Sequence, residues 1–239
     1  KPGSWFARWV RSNPKGVAVF RGRTSENPLI GQDTLDGMER QFDPLALRAY
    51  RDGEIVSLTG NACPGFLASP WPGGNLREHE YDPKVGVYLT MDNNRSPMVG
   101  ALLQKIGSQP RVFAEVFLSA GSFHDFGDAV AKRLGGKPPL GFVLHGDPEL
   151  RGAITNEETS WGAFADVKAG LQRAFCSSLN IEMRARKAQP REDDRMRALN
   201  ALILNGAGER RLTVDPRHCP ETIADRTEME PAAEGRLRQ

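Results

Sequence analysis

Residues 85–118 read VGVYLTMDNNRSPMVGALLQKIGSQPRVFAEVFL and contain three strand-like runs in succession. The runs cover residues 85–91, 98–106 and 111–118, and turn-forming residues separate them. Short apolar runs bounded by turn residues are typical of neighbouring strands in one sheet. The segment therefore predicts three antiparallel strands.

After this segment, helical and strand-like patterns alternate. Ser122 is a candidate N-cap for a first helix, and residues 140–145 form a fourth, apolar strand-like run. Ser160 is a candidate cap for a second helix, which precedes a fifth strand over residues 179–185 and a third helix over residues 194–204. The order β-β-β-α-β-α-β-α indicates an α/β, ribonuclease-H-like mixed sheet flanked by helices.

Two carboxylates follow strands of this predicted sheet. Asp92 comes directly after the first strand, and Asp147 comes after the fourth. A right-handed crossover makes these strands parallel, so their carboxyl ends meet at one edge. Paired carboxylates are ligands for Mg²⁺ or Mn²⁺, and two such ions about 3.5–4 Å apart can hydrolyse a phosphodiester. The alternative is that both acids are ordinary turn residues.

Glu115 lies inside the third apolar run, where an unpaired buried carboxylate would be costly. It is a lesser candidate for the same acidic site. The alternation of the strand favours the other interpretation, in which Glu115 points to the exposed face.

Composition limits the possible classes of protein. The 239 residues include 32 Lys and Arg against 30 Asp and Glu, a formal charge of +2, with 39% apolar residues. These values are typical of a globular protein, and the apolar runs are too short for a membrane span of roughly 20 residues. Three cysteines without a C-x-x-C pair favour a reducing compartment. Because the chain is nearly neutral, any binding to nucleic acid requires a local basic patch.

A candidate basic patch lies between the fifth strand and the third helix. It consists of Arg184, Arg186, Lys187 and Arg191. A basic loop beside an acidic metal site suits phosphate contacts that do not depend on sequence. An ordinary solvated loop is the alternative.

The first third of the chain has a different sequence pattern. Residues 1–60 predict short helices, with Thr34 as a candidate cap and Asp43 starting a further helix at Pro44. Residues 61–84 are rich in proline and glycine and predict a linker, in which His79 is expected at the surface.

Four stretches together resemble the C-terminal nuclease part of the terminase large subunit of tailed phages. They cover nearly the whole chain, and the last is the most specific. The stretches are Thr24–Pro28 with Tyr50–Glu54, Leu89–Met98, Gly146-Asp147-Pro148 with Arg151 and Thr155, and Asp194–Asn200 with Gly208–Pro216.

The resemblance implies a metal-dependent endonuclease that cuts concatemeric double-stranded DNA during genome packaging, in the cytoplasm of the host cell. It implies Asp92 and Asp147 as ligands of Mg²⁺ or Mn²⁺, and it implies the terminase small subunit and the portal as partners, with no membrane. Residues 1–60 would be the end of the ATPase motor domain, and residues 85–239 would be the nuclease domain.

The sequence departs from this family in two respects. It contains no G-x-x-x-x-G-K-[ST] phosphate loop, so no ATPase activity is expected of this chain. It also contains no His-x-x-Asp-Ala motif for the last acid of the family. That acid is expected beyond Gln239, with Asp225 or Glu228 as possible substitutes. A non-catalytic docking module and a resolvase- or integrase-like nuclease are the alternative functions.

Overall fold

The computed structural model describes residues 9–10, 12, 15–20, 22–54, 62–92, 97–146, 162–185 and 190–228. The chain divides into two compact units. The sheet unit comprises Leu76–Pro190 and Leu212–Ile223, and the helical unit comprises Lys1–Asn75, Arg191–Arg211 and Ala224–Gln239.

The sheet unit is built on six strands, which are β1 (Val87–Met91), β2 (Met98–Ile106), β3 (Gln109–Leu118), β4 (Phe142–Gly146), β5 (Ile181–Ala185) and β6 (Thr213–Val214). They form one mixed sheet of order β5-β4-β1-β2-β3-β6. β1, β2 and β3 are antiparallel neighbours, β4 is parallel to β1, and β5 is parallel to β4. This is the ribonuclease-H-like arrangement that the sequence predicts, with β6 added beside β3.

One face of the sheet forms the hydrophobic core. Helices α3 (Phe123–Arg133) and α4 (Gly162–Ala174) supply the buried residues that pack against Leu89 and its core-facing neighbours. The two helices approach closely at Gly127 and Gly170, since a Cβ on Gly127 would lie 2.7 Å from the Gly170 backbone. The close contact lets both helices pack on the same face.

Local capping confirms two of the predicted helix starts and corrects a third. The Ser122 hydroxyl accepts a hydrogen bond from the Asp125 N–H, which starts α3. Asp43 accepts hydrogen bonds from two backbone amides and starts α2 (Pro44–Tyr50). The cap predicted at Thr34 is wrong, because α1 (Gln32–Gln41) has Gly31 at its N-cap and contains Thr34 in its first turn.

The helical unit contains α1, α2 and α5 (Glu192–Ile203). Within this unit, Asn75 connects the segment around Leu67 to the end of α5. The buried Asn75 side chain donates to the Ile203 carbonyl at 3.1 Å and accepts from the Leu67 N–H at 3.1 Å and from Arg210 at 2.8 Å. The segment predicted to be a linker therefore carries specific contacts.

The last helix, α6, spans Pro220–Glu228. Neither α6 nor the two-residue strand β6 is among the elements predicted from the sequence. Among the described residues, none of the helices has an apolar stretch that could span a membrane.

Candidate active site

Asp92 lies at the carboxyl end of the central strand, on the face opposite the core. In β1, Val87, Leu89 and Met91 are buried, while Thr90 and then Asp92 are exposed. The Asp92 N–H donates to the carbonyl of Val99 in β2 at 3.1 Å, which extends the ladder by one residue. The strand pairing thus holds the Asp92 backbone at the end of β1, and the residue is exposed. The face that carries Asp92 is called the open face below.

β4 ends beside Asp92. It runs parallel to β1 with Thr90 opposite His145, and it ends at Gly146. The half-buried His145 ring stacks on Tyr88 with the ring centroids 6.1 Å apart. Asp147 is the next residue along the chain and lies outside the described residues. The predicted pairing of Asp92 with Asp147 therefore stays a prediction.

Glu115 of β3 is aligned with Thr90 of β1, because both residues pair with Ala101 of the intervening strand β2. Glu115 therefore lies on the open face. Its half-buried carboxylate accepts hydrogen bonds from the Glu221 N–H at 2.9 Å and from the N–H and the hydroxyl of Thr222, both at 2.8 Å. A carboxylate that accepts from the first amides of a helix is a charge-favoured N-terminal cap. Glu115 thus starts α6, and its catalytic role stays a prediction.

The substitutes considered for the last acid lie in α6 itself. Asp225 is exposed, and Glu228 is the final residue of the helix, with its side chain outside the described part. Neither is assigned to the site.

Replacing Glu115 with alanine is expected to lower the free energy of unfolding by about 1–2 kcal/mol, because the amides of α6 lose their acceptor. Glu115→Gln keeps an acceptor and should cost less. Urea denaturation measures both, with the exposed Glu182→Gln as the control. Unchanged stability combined with loss of DNA cleavage would show instead that Glu115 acts in the site.

The donor chemistry at Asp92 fits a hard divalent cation, since a carboxylate supplies the oxygen ligands that Mg²⁺ and Mn²⁺ prefer. Among the described residues, no three His, Cys, Asp or Glu side chains are grouped as metal ligands. Asp92 is the one predicted ligand within that part of the chain. The metal site predicted at Asp92 and Asp147 stays a prediction, because Asp147 lies outside the described residues.

The basic patch predicted from the sequence is described only in part. The Arg184 guanidinium donates to both oxygens of Glu182, at 2.6 and 2.9 Å, and both side chains are about half exposed. Arg191 is exposed at the N-cap of α5, while Arg186 and Lys187 lie outside the described residues. The ion pair offsets part of the positive charge of Arg184.

A buried carboxylate, Asp215, lies in the Gly208–Pro216 motif and forms an ion pair with the partly exposed Arg217. The Asp215 carboxylate is fully buried and accepts from the Arg217 side chain at 2.9 Å, from the Arg217 N–H at 2.8 Å and from the His79 N–H at 2.8 Å. Burial opposes the charged form, but these hydrogen bonds prevail and lower the pKa of Asp215 to about 2. This residue was not singled out from the sequence.

The expectation that His79 lies at the surface is wrong. The side chain is only 6% exposed, and its Nε2 lies 2.8 Å from the hydroxyl of Thr213. Burial, assisted by the charge of Arg111, lowers the pKa of His79 to about 4, so the ring is neutral at pH 7. His79, Thr213 and Asp215 together fix the start of the sheet unit beside β6.

No protein-family model matches the chain, and no curated protein is significantly similar to it in sequence. Solved structures do match. The large terminase of a thermophilic bacteriophage, in complex with ATP-γ-S, superimposes with a TM-score of 0.59 at 12% identity. A further crystal form of the same terminase gives a TM-score of 0.57 at 12% identity.

Each of these matches covers 95% of this chain and 52% of the thermophilic phage terminase, so this chain spans about half the length of that protein. The large terminase (g2p) nuclease domain of bacteriophage SPP1, solved with bound Mn, gives a TM-score of 0.38 at 13% identity, covering 67% of this chain and 81% of that one. The chain shares the ribonuclease-H-like fold of a phage large terminase.

Proposed function

We propose that the chain is the nuclease part of a terminase large subunit, a divalent-metal-dependent endonuclease that cuts concatemeric double-stranded DNA during packaging. The observation that carries the proposal is the exposed Asp92 at the carboxyl end of β1, beside the parallel strand β4, which ends one residue before Asp147. The fold shared with the large terminase of the thermophilic phage supports it.

In this proposal, Asp92 and Asp147 hold two Mg²⁺ or Mn²⁺ ions. Bound ions of this kind activate a water molecule and stabilise the leaving oxygen of a phosphodiester. The ladder bond from Asp92 to Val99 positions one carboxylate, and the open face gives DNA access to it. Residues 1–60 would be the end of the motor domain, residues 61–84 a linker and residues 85–239 the nuclease domain. The small subunit and the portal would be partners of the whole protein.

Plasmid cleavage tests the proposal. The chain is expected to nick or linearise supercoiled DNA with Mn²⁺ or Mg²⁺, because both carboxylates need a cation to bind the phosphodiester. No cleavage is expected in EDTA, and adding back excess metal should restore it. Full cleavage in EDTA would overturn the metal mechanism, and no cleavage with any divalent metal would favour a non-catalytic docking module.

The basic loop is expected to bind DNA phosphates. Replacing Arg184, Arg186, Lys187 and Arg191 with alanine should weaken binding equally for unrelated duplexes. The slope of log affinity against log salt should fall by about 0.9 for each phosphate that the loop no longer binds. Fluorescence anisotropy over a salt series measures this, with Lys84→Ala as the control.

An unchanged salt slope would show that the loop is only solvated. A loss of affinity confined to one DNA sequence would indicate base recognition, as expected of a resolvase-like or integrase-like enzyme.

A further inference from the structure

Exposed apolar side chains lie beside Asp92 on the open face. Val99 is opposite Phe117 in the β2–β3 ladder, and Val99 accepts the backbone hydrogen bond of Asp92. Alternation along the strands places Val99 and Phe117 on the same face as Asp92. Val99 is 38% exposed and Phe117 58% exposed. Two strand spacings separate Phe117 from Asp92, which is about 10 Å.

A pocket of about 780 Å³ opens beside Phe117, lined by the end of β3, the end of α3 and the start of α6. Its lining combines this apolar side chain with three cations and two carboxylates. The charged residues are Glu115, Lys132, Arg133, Arg217 and Glu221.

The charges in this pocket are not all available to a ligand. The Glu115 carboxylate is held by the amides and hydroxyl at the start of α6. Arg217 is held by the buried Asp215. Lys132 and Arg133 are exposed in the last turn of α3, and Arg133 also donates to the His218 carbonyl at 2.8 Å. Lys132 and Arg133 are accessible, whereas Glu221 is the one exposed carboxylate among the lining residues. The pocket therefore carries a net positive charge.

We propose that Phe117, Lys132 and Arg133 form a second DNA-contacting surface, which binds the duplex on the β3 side of the phosphate held at Asp92. Lys132 and Arg133 bind a backbone phosphate, and Phe117 packs against the sugar and base edges of a neighbouring nucleotide. An exposed aromatic ring suits the apolar faces of the sugar and base, and neighbouring cations suit the phosphate. The inference rests on the proposed function, and it adds a DNA-binding surface on the side of β1 opposite Arg184.

Binding of a 30-base-pair duplex in Ca²⁺, followed by anisotropy over a salt series, tests the surface. Lys132→Ala should reduce the salt slope by about 0.9, the value for one bound phosphate. Phe117→Ala should weaken binding by roughly five- to tenfold and leave the slope unchanged, because an apolar contact releases no counterions. Phe117→Leu keeps apolar packing and should fall between wild type and Phe117→Ala.

The matched controls are Lys105→Ala, an exposed lysine near the other end of β2, and Leu140→Ala, a 73% exposed apolar residue before β4. Neither should change binding, and thermal unfolding checks that every variant is folded. Wild-type binding by both Phe117→Ala and Lys132→Ala would overturn the inference while leaving the proposed function intact. An equal effect of Lys105→Ala and Lys132→Ala would also overturn it. A wild-type chain that neither binds nor cuts DNA would overturn the proposed function and the inference with it.

Discussion

Asp92→Asn is expected to reduce plasmid cleavage by about a thousandfold or more, a loss of about 4 kcal/mol of transition-state stabilisation. The amide keeps the shape of the side chain but removes a negative oxygen that a divalent cation needs. Asp147→Asn should have the same effect. Cleavage rates with saturating Mn²⁺ measure both variants.

The unfolding temperature of these variants distinguishes a metal-binding role of the two acids from a structural role. Both variants should unfold at the wild-type temperature or above it, because each removes repulsion between the paired carboxylates in the metal-free protein. The exposed Asp33 in α1 is the control, and Asp33→Asn should cleave normally. Normal cleavage by Asp92→Asn or Asp147→Asn would show that the replaced residue is an ordinary turn acid.

Asp215→Ala is expected to lower the free energy of unfolding by about 2–3 kcal/mol, because the backbone amides of His79 and Arg217 lose their buried acceptor. Urea denaturation at pH 7 measures the loss. Glu80→Ala is the matched control, because Glu80 also pairs with Arg217, at 3.3 Å, but is 91% exposed. Its removal should cost less than about 1 kcal/mol.

The contribution of Asp215 has a defined dependence on pH. Its folded pKa of about 2 lies below the ordinary value of 3.8, so the stabilisation is complete above about pH 4 and is lost as the pH falls towards 2. A shift of this size corresponds to about 2 kcal/mol. Equal destabilisation by Asp215→Ala and Glu80→Ala at pH 7 would contradict the assignment.

The sheet could be predicted because its signals are local. Apolar runs bounded by turn residues mark β1 to β5, and side-chain caps at Asp43 and Ser122 mark two helices. The rule for parallel crossovers then predicts that β4 runs parallel to β1. These features need only a short window of sequence and a general topological rule.

The missed features depend on contacts between distant residues. α6 is capped by the carboxylate of Glu115, which lies 106 residues before Glu221. β6 has only two residues and is defined by its pairing with Arg111 and Val112 in β3. Neither feature leaves a periodic signal in the local sequence.

His79 and Asp215 illustrate the same limit for the buried hydrogen bonds beside β6. A histidine in a proline-rich segment gives no local sign that it will meet Thr213, 134 residues later. Asp215, in a short motif before a proline, is equally compatible with an exposed turn. The pairing of Asp92 with Asp147 depends on the parallel register of β1 and β4, which the structure describes as far as Thr90 and His145.

Anomalous diffraction from crystals soaked in Mn²⁺ tests whether Asp92 and Asp147 together bind the divalent metal. We expect anomalous density at metal–oxygen bonding distance from a carboxylate oxygen of each residue, and none at that position in Asp92→Asn crystals. Mn²⁺ bound elsewhere, or an Asp147 carboxylate turned away from Asp92 in the soaked crystals, would contradict this expectation.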